Sequence, residues 1–192
     1  MSDSECCVTD KPPKWIFLFD NPLRGLLTRP KKFVSQHLSK GAVAVDLGCG
    51  PGFFTIPMAE VVAPEGKVFG IDSDKRSIEV LRLKASNHGY ENVEARVASA
   101  SHAEFVSDHS VDFVFANLML CCTLDHKGVI REIKRMLKPT GSAYLSVTRR
   151  LKKDPRDVNA REWQTILSEF NVIKKWNGIF TRRAVVFPKL ID

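Results

Sequence analysis

Val45-Asp46-Leu47-Gly48-Cys49-Gly50-Pro51-Gly52-Phe53 joins a short apolar run, Ala42–Leu47, to a segment that reads as a helix, Phe53–Val62. Glycines at 48, 50 and 52 let the backbone turn sharply and let a ligand approach without an intervening side chain. They stand at the carboxyl end of a strand, where open α/β sheets bind their ligands. A dinucleotide loop of the form GxGxxG/A calls for a small residue at position 53, so that helix, strand and pyrophosphate can come close; Phe53 is there instead. Asp46 is a costly residue beside a buried sheet unless a cationic ligand or the amides of the loop compensate its carboxylate. A second strand, Lys67–Ile71, leads to Asp72, twenty residues beyond Gly52, the spacing at which a carboxylate accepts hydrogen bonds from ribose hydroxyls.

Outward from the loop, strands and helices alternate. Asp74–His88 reads as a helix with Ile78, Leu81 and Ala85 on one face and Gly89 as its stop. Strands follow at Val93–Ala98, Val111–Ala116 and Ser142–Thr148. Lys127–Leu137 is an amphipathic helix, closed by the breaker Lys138-Pro139-Thr140-Gly141. Pro57 sits near enough to the start of its helix to cost few hydrogen bonds. Beyond residue 149, Arg161–Phe170 reads as a helix, and Asn171–Trp176 and Arg182–Pro188 as two strands joined around Asn177-Gly178. This order predicts an α/β, Rossmann-like, doubly wound sheet of seven strands, mostly parallel, with an antiparallel strand near one edge and helices on both faces. The expected organisation is a mobile tail over 1–12 and a single domain over 13–192. Within that domain, 13–40 forms a lid or flanking helices, 41–148 the cofactor-binding core, and 149–192 a helix and hairpin. The segment Trp15–Leu27 is too apolar to be left in water and is expected to pack over the domain.

The stretches Val45–Gly52 and Gly70-Ile71-Asp72 resemble motifs I and II of the class I S-adenosylmethionine-dependent methyltransferases. Ser110–Phe115 and Leu137–Ser142 resemble the fourth- and fifth-strand regions of the same group. Within it, the small-molecule type that includes ubiquinone and menaquinone biosynthesis methyltransferases is the most similar, and the likeness covers residues 40–148. The resemblance implies S-adenosyl-L-methionine as cofactor and S-adenosyl-L-homocysteine as product. It implies that Gly48, Cys49 and Gly50 pass near the methionine moiety, with Asp46 and Gly52 shaping the loop, that Asp72 holds both ribose hydroxyls, and that Ser73 lies beside the adenine. After the third strand such enzymes usually carry an Asp for the adenine amino group; here Val97-Ala98-Ser99-Ala100 offers the Ser99 hydroxyl and the Ala100 amide.

Methyl transfer from a sulfonium is an in-line displacement with a neutral leaving group, so alignment does much of the work and no catalytic acid is required. A base, needed only if the acceptor must lose a proton, would stand near the end of the fourth strand, among Asn117, Cys121, Cys122, Asp125 and His126. Their spacing assigns no catalytic residue. Asn117 lines the cofactor end of that strand in this reading, and Leu118-Met119-Leu120 follows it in place of the Asn-Pro-Pro-aromatic signature of amino-group methylation. Asp125 most simply caps the next helix, and His126 reads as a surface or capping residue.

The charge of +7 divides as +3 over residues 1–40, −2 over 41–148 and +6 over 149–192. The basic excess therefore belongs to the ends. It would attract an anionic partner, but Arg149–Lys153 holds one short cluster without aromatic interleaving, so nucleic acid is not the favoured acceptor. A small-molecule acceptor is; RNA or protein, or a non-catalytic relative that only binds the cofactor, are the alternatives. The five cysteines, Cys6, Cys7, Cys49, Cys121 and Cys122, lack CxxC spacing, so neither a disulfide framework nor a metal site is expected. No apolar stretch reaches the ~20 residues that span a bilayer, no signal peptide is evident, and a cytoplasmic location is expected. Oligomeric state is open.

Overall fold

A computed structural model of the chain describes residues 28–149 and 154–189. The tail 1–12, the segment Trp15–Leu27 and the Cys6-Cys7 pair lie outside the described residues. In chain order the described elements are α1 (Pro30–Val34), β1 (Val43–Leu47), α2 (Thr55–Val62), β2 (Lys67–Asp72), α3 (Lys75–Asn87), β3 (Val93–Val97), β4 (Val111–Asn117), α4 (His126–Met136), β5 (Leu137–Thr148), α5 (Ala160–Ser168), β6 (Phe170–Asn177) and β7 (Thr181–Pro188). The seven strands form one sheet in the order β3-β2-β1-β4-β5-β7-β6. Strands β1 to β5 pair in parallel, and β7 runs antiparallel to both β5 and β6. The chain thus starts in the middle of the sheet, winds outward to β3, and crosses back to β4, leaving a switch point between β1 and β4.

Alternation along the strands assigns the faces. Val45 and Leu47 enter the larger core cluster with Ile130, Ile133, Trp163 and Ile166 from α4 and α5. Ala44, Val68, Phe113 and Phe115 turn to the other face, against Val34 of α1 and Met58, Ala59 and Val62 of α2. Leu81 of α3 reaches the same face, close enough to Gly70 that a Cβ there would stand 2.6 Å from it. Strands buried on both sides in this way need covering helices on both, as a parallel sheet does.

Three local expectations shift. The helix expected from Phe53 begins at Thr55, because Gly52 at φ +88° and the two phenylalanines complete the loop first. Pro57 then falls at the third helical position, where its missing N–H has no intrahelical acceptor to lose. The expected breaker 138–141 is no loop. The chain passes from Met136 straight into β5, and Lys138–Gly141 form a bulge where pairing with β4 jumps from Val111↔Leu137 to Phe113↔Ser142. The last helix ends at Ser168, and Phe170, expected to be helical, instead opens β6 and joins the core.

Candidate functional site

The ends of β1, β2, β3 and β4 meet at one edge because the four strands are neighbours and parallel. That edge brings together Asp46 near the end of β1 and Gly48, Cys49, Gly50 and Gly52 after it, Asp72 at the end of β2 and Ser73 after it, Ser99 and Ala100 after β3, and Asn117 at the end of β4.

The loop after β1 has glycine wherever the backbone enters the left-handed region: Gly48 at φ +70°, Gly50 at +51° and Gly52 at +88°. The three differ in their surroundings. A Cβ on Gly48 would meet that of Met119 at 2.5 Å, and one on Gly52 would meet Leu81 at the same distance, so both glycines are packed against protein. A Cβ on Gly50 would meet nothing within 4 Å. Gly50 therefore stands beside open space at this edge of the sheet. The amides of Gly48 and Cys49 donate to the Ile71 carbonyl at 2.8 and 3.1 Å, which ties the loop to the end of β2.

Asp72 lies beneath that loop. Its Oδ2 accepts the Gly50 amide at 2.8 Å and its Oδ1 the Asp74 amide at 2.9 Å, so the carboxylate is held rigidly with one amide on each oxygen. Two backbone donors leave further lone pairs on both oxygens for a ligand. Burial pushes its pKa up, opposed by those amides. Asp46 is 3% exposed, and burial raises its pKa to about 7. Its partner differs from the expected loop amides: Thr55, at the first turn of α2, donates its hydroxyl to Asp46 Oδ2 at 2.6 Å. Cys49 is buried, and desolvation together with Asp46 pushes its thiol pKa up, so it is a packed, unreactive group.

After β3, Ser99 Oγ accepts the Ser101 amide at 3.3 Å and bonds the Ser101 hydroxyl at 3.0 Å, which folds residues 99–101 into a tight turn beside Asp72. The amide of Ala98 donates to the Asp72 carbonyl at 3.0 Å and sets that turn in register with β2.

At the end of β4 the chain bends through Leu118, a non-glycine residue at φ +60°. Its amide donates to the Ser146 hydroxyl at 2.9 Å, and that hydroxyl donates to Asn117 Oδ1 at 2.8 Å. With its oxygen engaged, the Asn117 side chain has its amide N–H groups to offer. The bend carries Met119 against Gly48 and leads into a 3-10 turn, Leu120–Cys122, in which Cys121 donates to the Leu118 carbonyl at 3.0 Å. Asp125 caps α4 as expected, accepting from Gly128 at 2.8 Å. His126 is not a surface residue. It is buried, with Nδ1 2.6 Å from Glu162 Oε1 and Nε2 2.8 Å from the Leu120 carbonyl, so both ring nitrogens are occupied in holding the turn. Among the described residues no group of three or more His, Cys, Asp or Glu could hold a metal ion.

Thr55, Gly70, Leu118, Met119 and Ser146 are the parts of this site that sequence reading missed. Gly70 was legible in principle as the glycine of Gly70-Ile71-Asp72: any side chain there would strike Leu81, Cys49 and Thr55.

The arrangement is a crevice with one glycine beside open space, a half-buried carboxylate held by two backbone amides, and a side-chain amide at the neighbouring strand end. A nucleoside with two ribose hydroxyls fits it; a pyrophosphate would meet two acids, the buried Asp46 and the half-buried Asp72.

Residues 38–182 match the model of a family described as "Methyltransferase domain". A demethylmenaquinone methyltransferase of Geobacillus stearothermophilus is 35% identical over 106 residues, 55% of this chain and 45% of that protein. An arsenite methyltransferase of Halobacterium salinarum is 31% identical over 129 residues, 67% of this chain and 32% of that one. The chain thus spans half or less of the length of these relatives. Among solved structures, a SAM-dependent methyltransferase from Aquifex aeolicus superposes with a TM-score of 0.77 at 24% identity, covering 94% of this chain and 100% of the other; a likeness at that identity concerns the fold.

Proposed function

The chain belongs to the methyltransferase domain family, and on that premise we propose that it binds S-adenosyl-L-methionine and transfers its methyl group to a small-molecule acceptor, releasing S-adenosyl-L-homocysteine. The observation that carries the reading is the Asp72 carboxylate, fixed by the Gly50 and Asp74 amides under the one glycine that opens on the crevice. Its remaining lone pairs take the two ribose hydroxyls, and Ser73 and the turn Ser99–Ala100 flank the adenine. Gly48, Cys49 and Gly50 pass along the methionine end, with Asp46 beneath them and Gly52 closing the loop against α3. When bound, the cofactor supplies an electrophilic methyl on a sulfonium.

The chain's part is alignment. The bend at Leu118, held from both sides by Ser146 and Cys121, brings Asn117 and Met119 to the mouth of the crevice. There Asn117 orients the cofactor or the incoming acceptor through its amide N–H groups. His126 is not the base in this scheme, since both its nitrogens are engaged with Glu162 and the Leu120 carbonyl. The relatives named above act on quinone and arsenite acceptors, which favours a small molecule here too. The cytoplasmic location expected from the sequence belongs to the same proposal. Among the described residues no helix is long and apolar enough to cross a membrane.

Incubation with methyl-labelled cofactor and fractionated cell extract tests the acceptor class. The proposal expects label in a low-molecular-mass fraction; label confined to RNA or protein, or none transferred while the cofactor binds, would overturn it.

A further inference from the structure

The β6–β7 hairpin carries a surface that the crevice does not use. Ile179 and Phe180 at its tip are 81% and 78% exposed, and Val172, Ile173 and Trp176 on β6 are open to solvent as well. Large apolar side chains gathered on a protruding turn mark a surface made to be covered. Basic groups stand on the two strands behind the tip, Lys174 and Lys175 on opposite faces of β6. Lys174, Lys175 and Arg183 are exposed, Lys174 Nζ lies 4.9 Å from the centre of the Trp176 ring, and Arg149 donates to the Gly178 carbonyl at 2.9 Å. Between Glu169 and Asp192 the sequence has five basic residues and no acid.

Topology fixes where this surface looks. Thr148, the last residue of β5, pairs with Thr181, so the tip stands beyond the carboxyl end of β5. That is the edge of the sheet that holds Asp46, Asp72 and Asn117. Asn117 pairs with Ser146 and Ser146 with Arg183, which places the basic strand two strand spacings, roughly 10 Å, from the crevice mouth.

We propose that the hairpin tip docks the protein on an anionic lipid bilayer. Ile179 and Phe180 enter the boundary between headgroups and acyl chains, while Lys174, Lys175 and Arg183 engage lipid phosphates. The carboxyl edge of the sheet then faces the membrane. A second copy of the chain meeting this edge would bring lysine against lysine. Nucleic acid would satisfy the cations and stack on Trp176 or Phe180, but it offers no apolar interior to Ile173 and Ile179. A bilayer satisfies both halves of the surface. Docking needs no cofactor, so the inference stands apart from the methyl-transfer reading.

The test is sedimentation of the full chain with phosphatidylcholine vesicles, with and without phosphatidylglycerol. Retention on the anionic vesicles should fall as salt is raised. It should weaken by about tenfold or more in the paired variant Ile179→Ser/Phe180→Ser and in Lys174→Glu/Lys175→Glu. Both variants should keep the wild-type affinity for S-adenosylhomocysteine, which reports an intact fold. Absence of retention at low salt, or equal retention of wild type and variants, overturns the proposal. So does salt-sensitive RNA retention, lost in the same variants, without vesicle retention. A wild-type chain that fails to bind S-adenosylhomocysteine overturns the methyl-transfer reading instead, and leaves the vesicle result to be read by itself.

Discussion

Asp46, buried, and Asp72, half-buried, are carboxyls at adjacent strand ends, and each is pushed up by desolvation, Asp46 to about 7. A carboxyl whose folded pKa exceeds its unfolded value binds its proton more tightly in the folded state. The stability it contributes is therefore full below the ordinary carboxylate range and is lost as pH rises toward about 7. Thermal unfolding followed from pH 4 to 8 should show this decline, and Asp46→Asn should flatten it; an unchanged slope would show that Asp46 is not the titrating group. The glycines separate folding from binding in the same way. Gly48→Ala places a methyl 2.5 Å from Met119 Cβ at a positive φ and should destabilise by about 1–3 kcal/mol. Gly50→Ala meets nothing and should cost the fold only about 1 kcal/mol of backbone strain, while weakening cofactor binding far more than Gly48→Ala weakens it relative to stability. Denaturant unfolding paired with calorimetry distinguishes the two.

Helix α3 shows how an element serves the site. Asp74 caps it by accepting from the Arg76 and Ser77 amides, both at 3.2 Å, and from the Ser77 hydroxyl at 2.7 Å. The same residue's own amide fixes Asp72. Asp74→Ala should cost about 1 kcal/mol of stability, measured by urea unfolding, with a smaller secondary loss of cofactor affinity. The elements were largely legible because each carries its own period: Val45 and Leu47 alternate into one core, and Ile78, Leu81 and Ala85 recur down one helix face. So were Gly48, Gly50 and Asp72, since one short loop and one strand end carry them. Thr55, Leu118, Met119 and Ser146 were not, because their roles exist only once α2, β4 and β5 are packed against β1. Lys138-Pro139-Thr140-Gly141 reads as a stop by local chemistry, and tertiary pairing with β4 turns it into a bulge inside a strand. The surface alternative for His126 failed for the same reason: Glu162, its partner, is thirty-six residues away.

Across the whole molecule, two walls meet at the crevice. The β1–β2 wall is the glycine loop on Asp72; the β4–β5 wall is the Leu118 bend locked by Ser146; and Met119 against Gly48 joins them. A ligand that binds between them stabilises both. Saturating S-adenosylhomocysteine at about a hundred times its dissociation constant should add about 2.7 kcal/mol to folding stability, a rise in Tm of roughly 5–10 °C for a chain of this size. Differential scanning fluorimetry reads that shift.

The most direct measurement is a calorimetric titration of the chain with S-adenosylhomocysteine, beside Asp72→Ala shown to have the wild-type Tm. The Asp72 carboxylate, fixed by the Gly50 and Asp74 amides with acceptor capacity left on both oxygens, predicts saturable binding by the wild type and a loss of roughly tenfold to a hundredfold in the variant, the weight of hydrogen bonds to a charged group. Absence of binding, or equal affinity in the two proteins, would contradict it.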